Sequence, residues 1–136
     1  MDLAAVMDEV AARLITITGL RVFAYPPDSV VPPAAIVSYP DEIEPHGTYA
    51  RGMAKIRLPV VVVVGKVTDR GTRALIAGYV ATSGAASVVA VLESTATPYV
   101  AFDTLTVASV EFDVVQIAEN TYLAALFDLE IAGDGS

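Results

Sequence analysis

The sequence predicts an α+β domain in which helices pack on one face of a mainly antiparallel sheet. Three observations predict this class: an N-terminal segment has apolar residues at helical spacing, residues 53–65 are rich in valine, and two C-terminal segments alternate between apolar and acidic residues. The predicted order of elements is α-βββ-αα-ββ. The chain has 136 residues and no long linker, so we expect residues 1–136 to form a single domain.

The first predicted element is a helix that begins after the capping residue Asp2 and ends near Gly19. Its apolar stripe consists of Leu3, Met7, Val10, Leu14 and Ile17. Two short strands are expected next, at residues 20–25 and 34–39, and the proline-rich sequence around the second favours a sheet edge. Residues 41–52 contain one proline and two glycines, which predicts a loop or an extended hairpin tip.

Residues 53–65 begin as an alternating strand, in which Lys55 and Arg57 point to one face and their apolar neighbours to the other. The alternation stops after Pro59, because residues 60–64 are all valine. A strand that is apolar on both faces needs two covers. We expect the chain's own helices to form one cover and a second copy of the chain to form the other, which makes the candidate subunit interface Val60, Val62 and Val64. The alternative is that this strand is central in a two-layer fold of the monomer.

A helix should follow this strand, with Thr68 or Asp69 as its N-cap. Its predicted buried side consists of Leu75, Ile76, Tyr79 and Val80. A shorter helix is expected over residues 85–92, and two long strands near 103–117 and 121–132 complete the predicted fold.

Acidic and large apolar residues alternate in both closing strands, which predicts one solvated face and one buried face. The acidic positions are Glu111, Asp113, Asp128 and Glu130, and the apolar positions are Val110, Phe112, Val114, Phe127, Leu129 and Ile131. Paired carboxylates also occur in glycosidases and calcium sites. No aromatic platform or ligand-spaced loop accompanies these pairs, so a solvated strand face is the simpler interpretation.

The charge of the chain is unevenly distributed. Residues 1–73 hold eight basic and eight acidic side chains, whereas residues 74–136 hold eight acidic side chains and no basic one, which accounts for the net charge of −8. Such a surface repels phosphate, so we do not expect sequence-specific binding of nucleic acid. A solvated acidic face that keeps an apolar protein in solution explains the same pattern.

The sequence carries no motif that indicates catalysis, a cofactor or a metal. Residues 65–68 resemble the end of a P-loop, but Val60 replaces its first glycine and Val67 replaces the Ser or Thr that follows its lysine. There is no cysteine, and His46 is the only histidine, so a zinc site is not expected. The acidic, amphipathic N-terminal segment does not resemble a signal peptide, and no apolar run is long enough to cross a membrane.

Five segments, taken in order, resemble small neck proteins of long-tailed actinobacteriophages. The segments are "MDLAAVMDEVAARL", "GLRVFAYPPDSVVPPAAIVSYP", "LPVVVVVGKVTDRGTR", "GAASVVAVLE" and "VEFDVVQIAENTYLAALFDLEIAG", and together they cover nearly the whole chain. Proteins of this kind are commonly assigned as tail terminators or head-to-tail connectors. The resemblance rests on this series of segments and on no catalytic motif.

The resemblance implies a structural protein without enzymatic activity, which is assembled in the bacterial host cytoplasm and located in the neck of the virion. A tail terminator forms a ring, usually a hexamer, on the head-proximal end of the tail tube. The ring ends tube polymerisation and joins the tail to the head-completion proteins. Two alternatives stay open: a connector or stopper ring nearer the portal, and a monomeric tail-assembly chaperone or binding module.

Two further sets of site residues follow from this implied role. The loop at residues 41–52 is a candidate docking element, in which we single out His46, Tyr49 and Arg51. Genomic DNA passes through the lumen of a neck ring, and carboxylates on the channel wall would repel its phosphates. The candidate channel residues are Glu111, Asp113, Asp128 and Glu130.

Overall fold

The computed structural model describes residues 3–17, 19–24, 33–38, 42–44, 53–66, 70–84, 87–94, 99–117 and 120–134. Its elements are, in chain order, α1 (Leu3–Leu14), β1 (Arg21–Phe23), β2 (Ala34–Val37), β3 (Glu42–Glu44), β4 (Met53–Lys66), α2 (Arg70–Val80), α3 (Val88–Leu92), β5 (Thr104–Ile117) and β6 (Asn120–Asp134). The predicted α+β class is confirmed. The predicted order lacked β3, a three-residue strand within the segment that was predicted to be a loop or hairpin tip.

The described strands form one mixed sheet in the order β1-β2-β4-β6-β5, and β3 pairs with β4 on the same side as β2. The β1–β2 pair is parallel, and the other pairs are antiparallel. The long strands β4 and β6 lie side by side at the centre, whereas β5 forms one edge of the sheet.

The core that the described residues form lies between the helices and one face of this sheet. Residues of α1, α2 and α3 pack there against residues of β4, β5 and β6 that share a face by their register. The largest fully buried side chains include Phe127, Leu58, Leu129, Leu14 and Leu92. Removing one such side chain from water contributes about 1.5–3 kcal/mol, so these residues determine which face the helices cover.

The first helix follows its sequence pattern closely. Met7, Val10 and Leu14 are buried on α1, and Ile17 is buried just beyond it. Gly19 has φ +82°, a left-handed conformation that ends helices readily and that glycine adopts without strain. The predicted cap, Asp2, lies outside the described residues.

Pro59 lies inside the central strand β4, a position that proline normally avoids. Its carbonyl accepts the N–H of Ser38 at 3.1 Å, so its backbone polar groups point away from β6. On that side β2 pairs with residues 60–63 and β3 with residues 55–57. The missing N–H of the proline therefore faces the gap between two short strands, and no hydrogen bond to β6 is lost.

The valines after Pro59 divide between the two faces of the sheet. Val60 and Val62 lie in the core on the helix side. Val63 is also buried, but on the opposite face, where the register aligns it with the buried residues Ala34 and Ala124. A register shift between Val63 and Gly65 then brings Val64 into the core as well.

The two remaining helices form as predicted, but their buried residues and starting positions differ in part from the prediction. On α2, Ile76 and Tyr79 are buried as predicted, but the prediction for Leu75 is wrong, since it is 44% exposed. The predicted caps Thr68 and Asp69 lie outside the described residues. The shorter helix begins at Val88, after Ser87, whose side chain accepts the N–H of Ala90 at 3.0 Å. None of the helices in the described parts of the chain has the length and apolarity to cross a membrane.

Candidate functional site

The far end of the β5–β6 pair exposes two apolar side chains of β5 on the helix-facing side of the sheet. We call residues 109–117 and 120–126 the distal hairpin. Phe112 lies opposite the buried Ala125, so it shares the face that forms the core, but it is 59% exposed. Val114, on the same face, is 51% exposed. The prediction of one buried face is therefore wrong for these two residues, because the helices of the chain do not cover this part of the edge strand.

The free edge of β5 is protected against the addition of another strand. The N–H of Val107 donates to Glu93 Oε2 at 2.9 Å, and the N–H of Val114 donates to Asp113 Oδ1 at 2.7 Å. A register shift between Val107 and Ser109 also interrupts the regular ladder. Carboxylates and bulges on an edge oppose strand addition. A partner can therefore bind this edge through its side chains, but strand addition to the sheet is disfavoured.

The four predicted channel acids share the sheet face opposite the helices, but the structure divides them into two pairs. Glu130 Oε1 accepts a hydrogen bond from Arg57 Nη2 at 3.4 Å, and Asp128 Oδ2 lies 3.9 Å from Arg57 Nη1. Glu111 and Asp113 are exposed and make no ion pair with a described residue. One arginine thus pairs with both acids of the first pair, whereas no described cation pairs with the second.

Asp128 adjoins an open depression of about 170 Å³ that it lines together with Ser109 and Glu111. Its Oδ1 atom is buried without a hydrogen-bond partner among the described residues. The described part of the chain nevertheless brings no three His, Cys, Asp or Glu side chains together in an arrangement that holds a metal. The depression therefore provides two carboxylates and a hydroxyl, but no metal-binding cluster.

Among the described residues, Tyr79 and Tyr99 have shifted pKa values, and both are structural. Burial raises the pKa of both Tyr79 and Tyr99 above the ordinary value. The Tyr99 hydroxyl donates to the carbonyl of Leu92 at 2.6 Å, and the Arg13 guanidinium lies 4.0 Å from the centre of the Tyr99 ring. Next to this ring, the Glu9 carboxylate accepts the N–H groups of residues 100 and 101. These contacts join α1 and α3 to the segment before β5.

The other predicted site residues are placed as follows. Val60, Val62 and Val64 belong to the core of the monomer and have almost no exposed surface, so in the folded chain they offer no contact area to a neighbour. The candidate docking residues His46 and Tyr49 lie outside the described residues, and so does Arg51.

The exposed side of α2 is a surface that the sequence did not predict. The helix contains no acidic residue, and its exposed residues include Arg70, Arg73 and Leu75. Lys66, at the end of β4, is exposed as well. None of these three cations makes an ion pair with a described residue. We call Lys66, Arg70, Arg73 and Leu75 the basic surface.

An open depression of about 410 Å³ lies beside the basic surface, between the end of β4 and the start of α2. Lys66, Thr72 and Leu75 contribute to its lining. The Thr72 hydroxyl donates to the carbonyl of Lys66 at 2.9 Å, so this wall of the depression is fixed by a hydrogen bond.

Comparisons of the chain with protein-family models and with curated protein sequences find no match.

Proposed function

We propose that the protein is a structural component of the neck of a long-tailed bacteriophage. In this proposal it is a tail terminator, whose hexameric ring caps the head-proximal end of the tail tube, ends tube polymerisation and joins the tail to the head-completion proteins. The genome passes through the lumen of the ring without sequence-specific binding. The protein acts in the virion as a scaffold and catalyses no reaction.

The observation that carries this proposal is the distal hairpin. Phe112 and Val114 are neighbours on one strand face, and both leave about half of their surface in water. Adjacent large apolar side chains that are exposed on an edge strand favour a protein that associates with other subunits. The sequence resemblance to phage neck proteins, which extends over nearly the whole chain, supports the same function.

Inactivation of the gene in the phage tests the proposal, with electron microscopy of the lysate as the measurement. Loss of a terminator should give tails of variable and excessive length that are not joined to heads. Loss of a connector or stopper ring should give tails of normal length that are also not joined to heads. Loss of an assembly chaperone should leave few tail tubes. Intact virions of normal tail length would contradict all three assignments.

A further inference from the structure

The distal hairpin and the basic surface have complementary charges and matching apolar residues. Glu111 and Asp113 are exposed acids beside Phe112 and Val114. The basic surface carries the exposed cations Lys66, Arg70 and Arg73 and the exposed Leu75, which lines a depression together with Lys66. The two surfaces adjoin where Lys66 pairs with Tyr122 of the distal hairpin, but the acids lie on the edge strand, whereas Arg70, Arg73 and Leu75 lie on α2. Each surface thus has the chemistry that the other lacks.

We propose that the distal hairpin of one copy binds the basic surface of the next copy. Phe112 and Val114 pack against Leu75 and the adjacent depression, while Glu111 and Asp113 pair with the cations of that copy. A partner that approaches the free edge of β5 meets side chains from both faces of the strand, so one partner contacts the acids and the apolar residues together. The helix of the neighbour thereby covers the apolar face that the chain's own helices leave exposed.

A contact between two copies of the same hairpin is disfavoured by charge. Such a symmetric contact would bring Glu111 and Asp113 of one copy close to the same acids of the other copy, and like charges across an interface are destabilising. The protected edge of β5 also disfavours pairing of two edge strands. The head-to-tail contact has neither problem.

A head-to-tail contact between unlike surfaces generates a ring when its rotation closes. The inference therefore rests on the proposed ring and specifies which residues hold its subunits together. It also assigns Glu111 and Asp113 to the subunit contact, and not to the wall of the DNA channel.

The test uses the full-length purified protein and sedimentation velocity over a concentration series at low salt. The wild-type protein should self-associate, and high salt should weaken the association because the ion pairs are screened. Phe112→Ser should weaken it about 30-fold, as expected for an interface hot spot. The matched control is Val100→Ser, since Val100 is 93% exposed and outside both surfaces. This control should leave the association unchanged.

Charge reversal tests the pairing itself. One variant carries Glu111→Lys and Asp113→Lys, and the other carries Arg70→Glu and Arg73→Glu. Each variant alone should be monomeric, because its two surfaces now carry like charges. An equimolar mixture should associate again, because both contacts between the unlike variants join opposite charges. Circular dichroism should show all variants folded, since the changed residues are exposed.

Each unfavourable result has a distinct meaning. A wild-type protein that stays monomeric at high concentration overturns the contact, and so does a mixture of reversed variants that fails to associate. Rings that form normally with Phe112→Ser would overturn the contact but leave the proposed function intact. Phage that carry Glu111→Lys and Asp113→Lys, assemble normally and eject DNA slowly would place these acids in the channel instead. The proposed function fails separately, if loss of the gene leaves normal virions.

Discussion

Shortening Val62 should destabilise the monomer much more than shortening its neighbour Val61. Val62 is fully buried in the core, where its register partners are Ala35 and Ala125. Val61 is only half-buried and points to the other face of the sheet. The two residues are chemically identical neighbours on one strand, so each is a matched control for the other.

The magnitude follows from the groups that are removed. Val62→Ala deletes two buried methyl groups, which contribute about 0.8 kcal/mol each by transfer, and it leaves a cavity between small alanines. We expect a loss of about 2–3 kcal/mol in the free energy of unfolding. Val61→Ala should cost less than about 1 kcal/mol, because its side chain already contacts water.

Urea denaturation followed by circular dichroism measures both values. The midpoint should fall clearly for Val62→Ala and little for Val61→Ala, with the same slope for both variants, because the surface exposed on unfolding hardly changes. Equal losses for the two variants would refute the assignment of faces. Val62→Asp should fail to fold, since an unpaired carboxylate in this core is very costly.

Three other predictions concern contacts that hold the elements together. Gly65→Ala should destabilise the fold by about 1–3 kcal/mol, because the new Cβ would lie 2.6 Å from Thr72 Oγ1, and denaturation of a double mutant with Thr72→Ala should show a loss smaller than the sum of the single losses. Glu9→Gln should cost about 1–2 kcal/mol in the same assay, because charged acceptors make stronger hydrogen bonds to the two N–H groups that it holds; an unchanged midpoint would contradict this role. Burial raises the pKa of Tyr99 in the folded protein above its ordinary value of 10, so the unfolded chain loses the hydroxyl proton more readily. The protonated Tyr99 therefore stabilises the fold fully below pH 10, and this stabilisation is lost as the pH rises through the pKa in the folded protein. Unfolding measured across alkaline pH should therefore show a weaker pH dependence for Tyr99→Phe than for wild type, and an identical dependence would exclude this contribution.

The sequence predicted the elements whose signal is local. The stripe on α1 and the alternation in β6 each repeat over enough residues to identify a helix or a strand. The three-residue strand β3 has no such repeat, and its pairing with β4 depends on residues that are distant in the chain.

The sequence also could not predict how far the helices extend over the sheet. Alternation correctly groups Phe112 and Val114 with the core-facing residues of β5, but it does not indicate whether a helix lies above them. Leu75 was assigned to the buried side of α2 for a related reason: its spacing fits the edge of the apolar stripe, and only packing decides on which side of that boundary it lies.

The candidate site was predicted in part. The four acids do share a face, as their alternation indicates. Their separation into a paired and an unpaired set depends on Arg57, which is 73 residues away from Glu130 in the chain. The basic surface was missed because its members come from the end of β4 and from α2. Their common position is set by the fold.

Native mass spectrometry of the purified protein at high concentration tests the ring most directly. A monomer has a mass of 14.2 kDa. A hexameric ring should give a closed species of six times 14.2 kDa, about 85 kDa, whose population falls in the Phe112→Ser variant and is unchanged in the Val100→Ser control. A protein that remains at 14.2 kDa at every concentration, or stops at a dimer, would show that no ring forms.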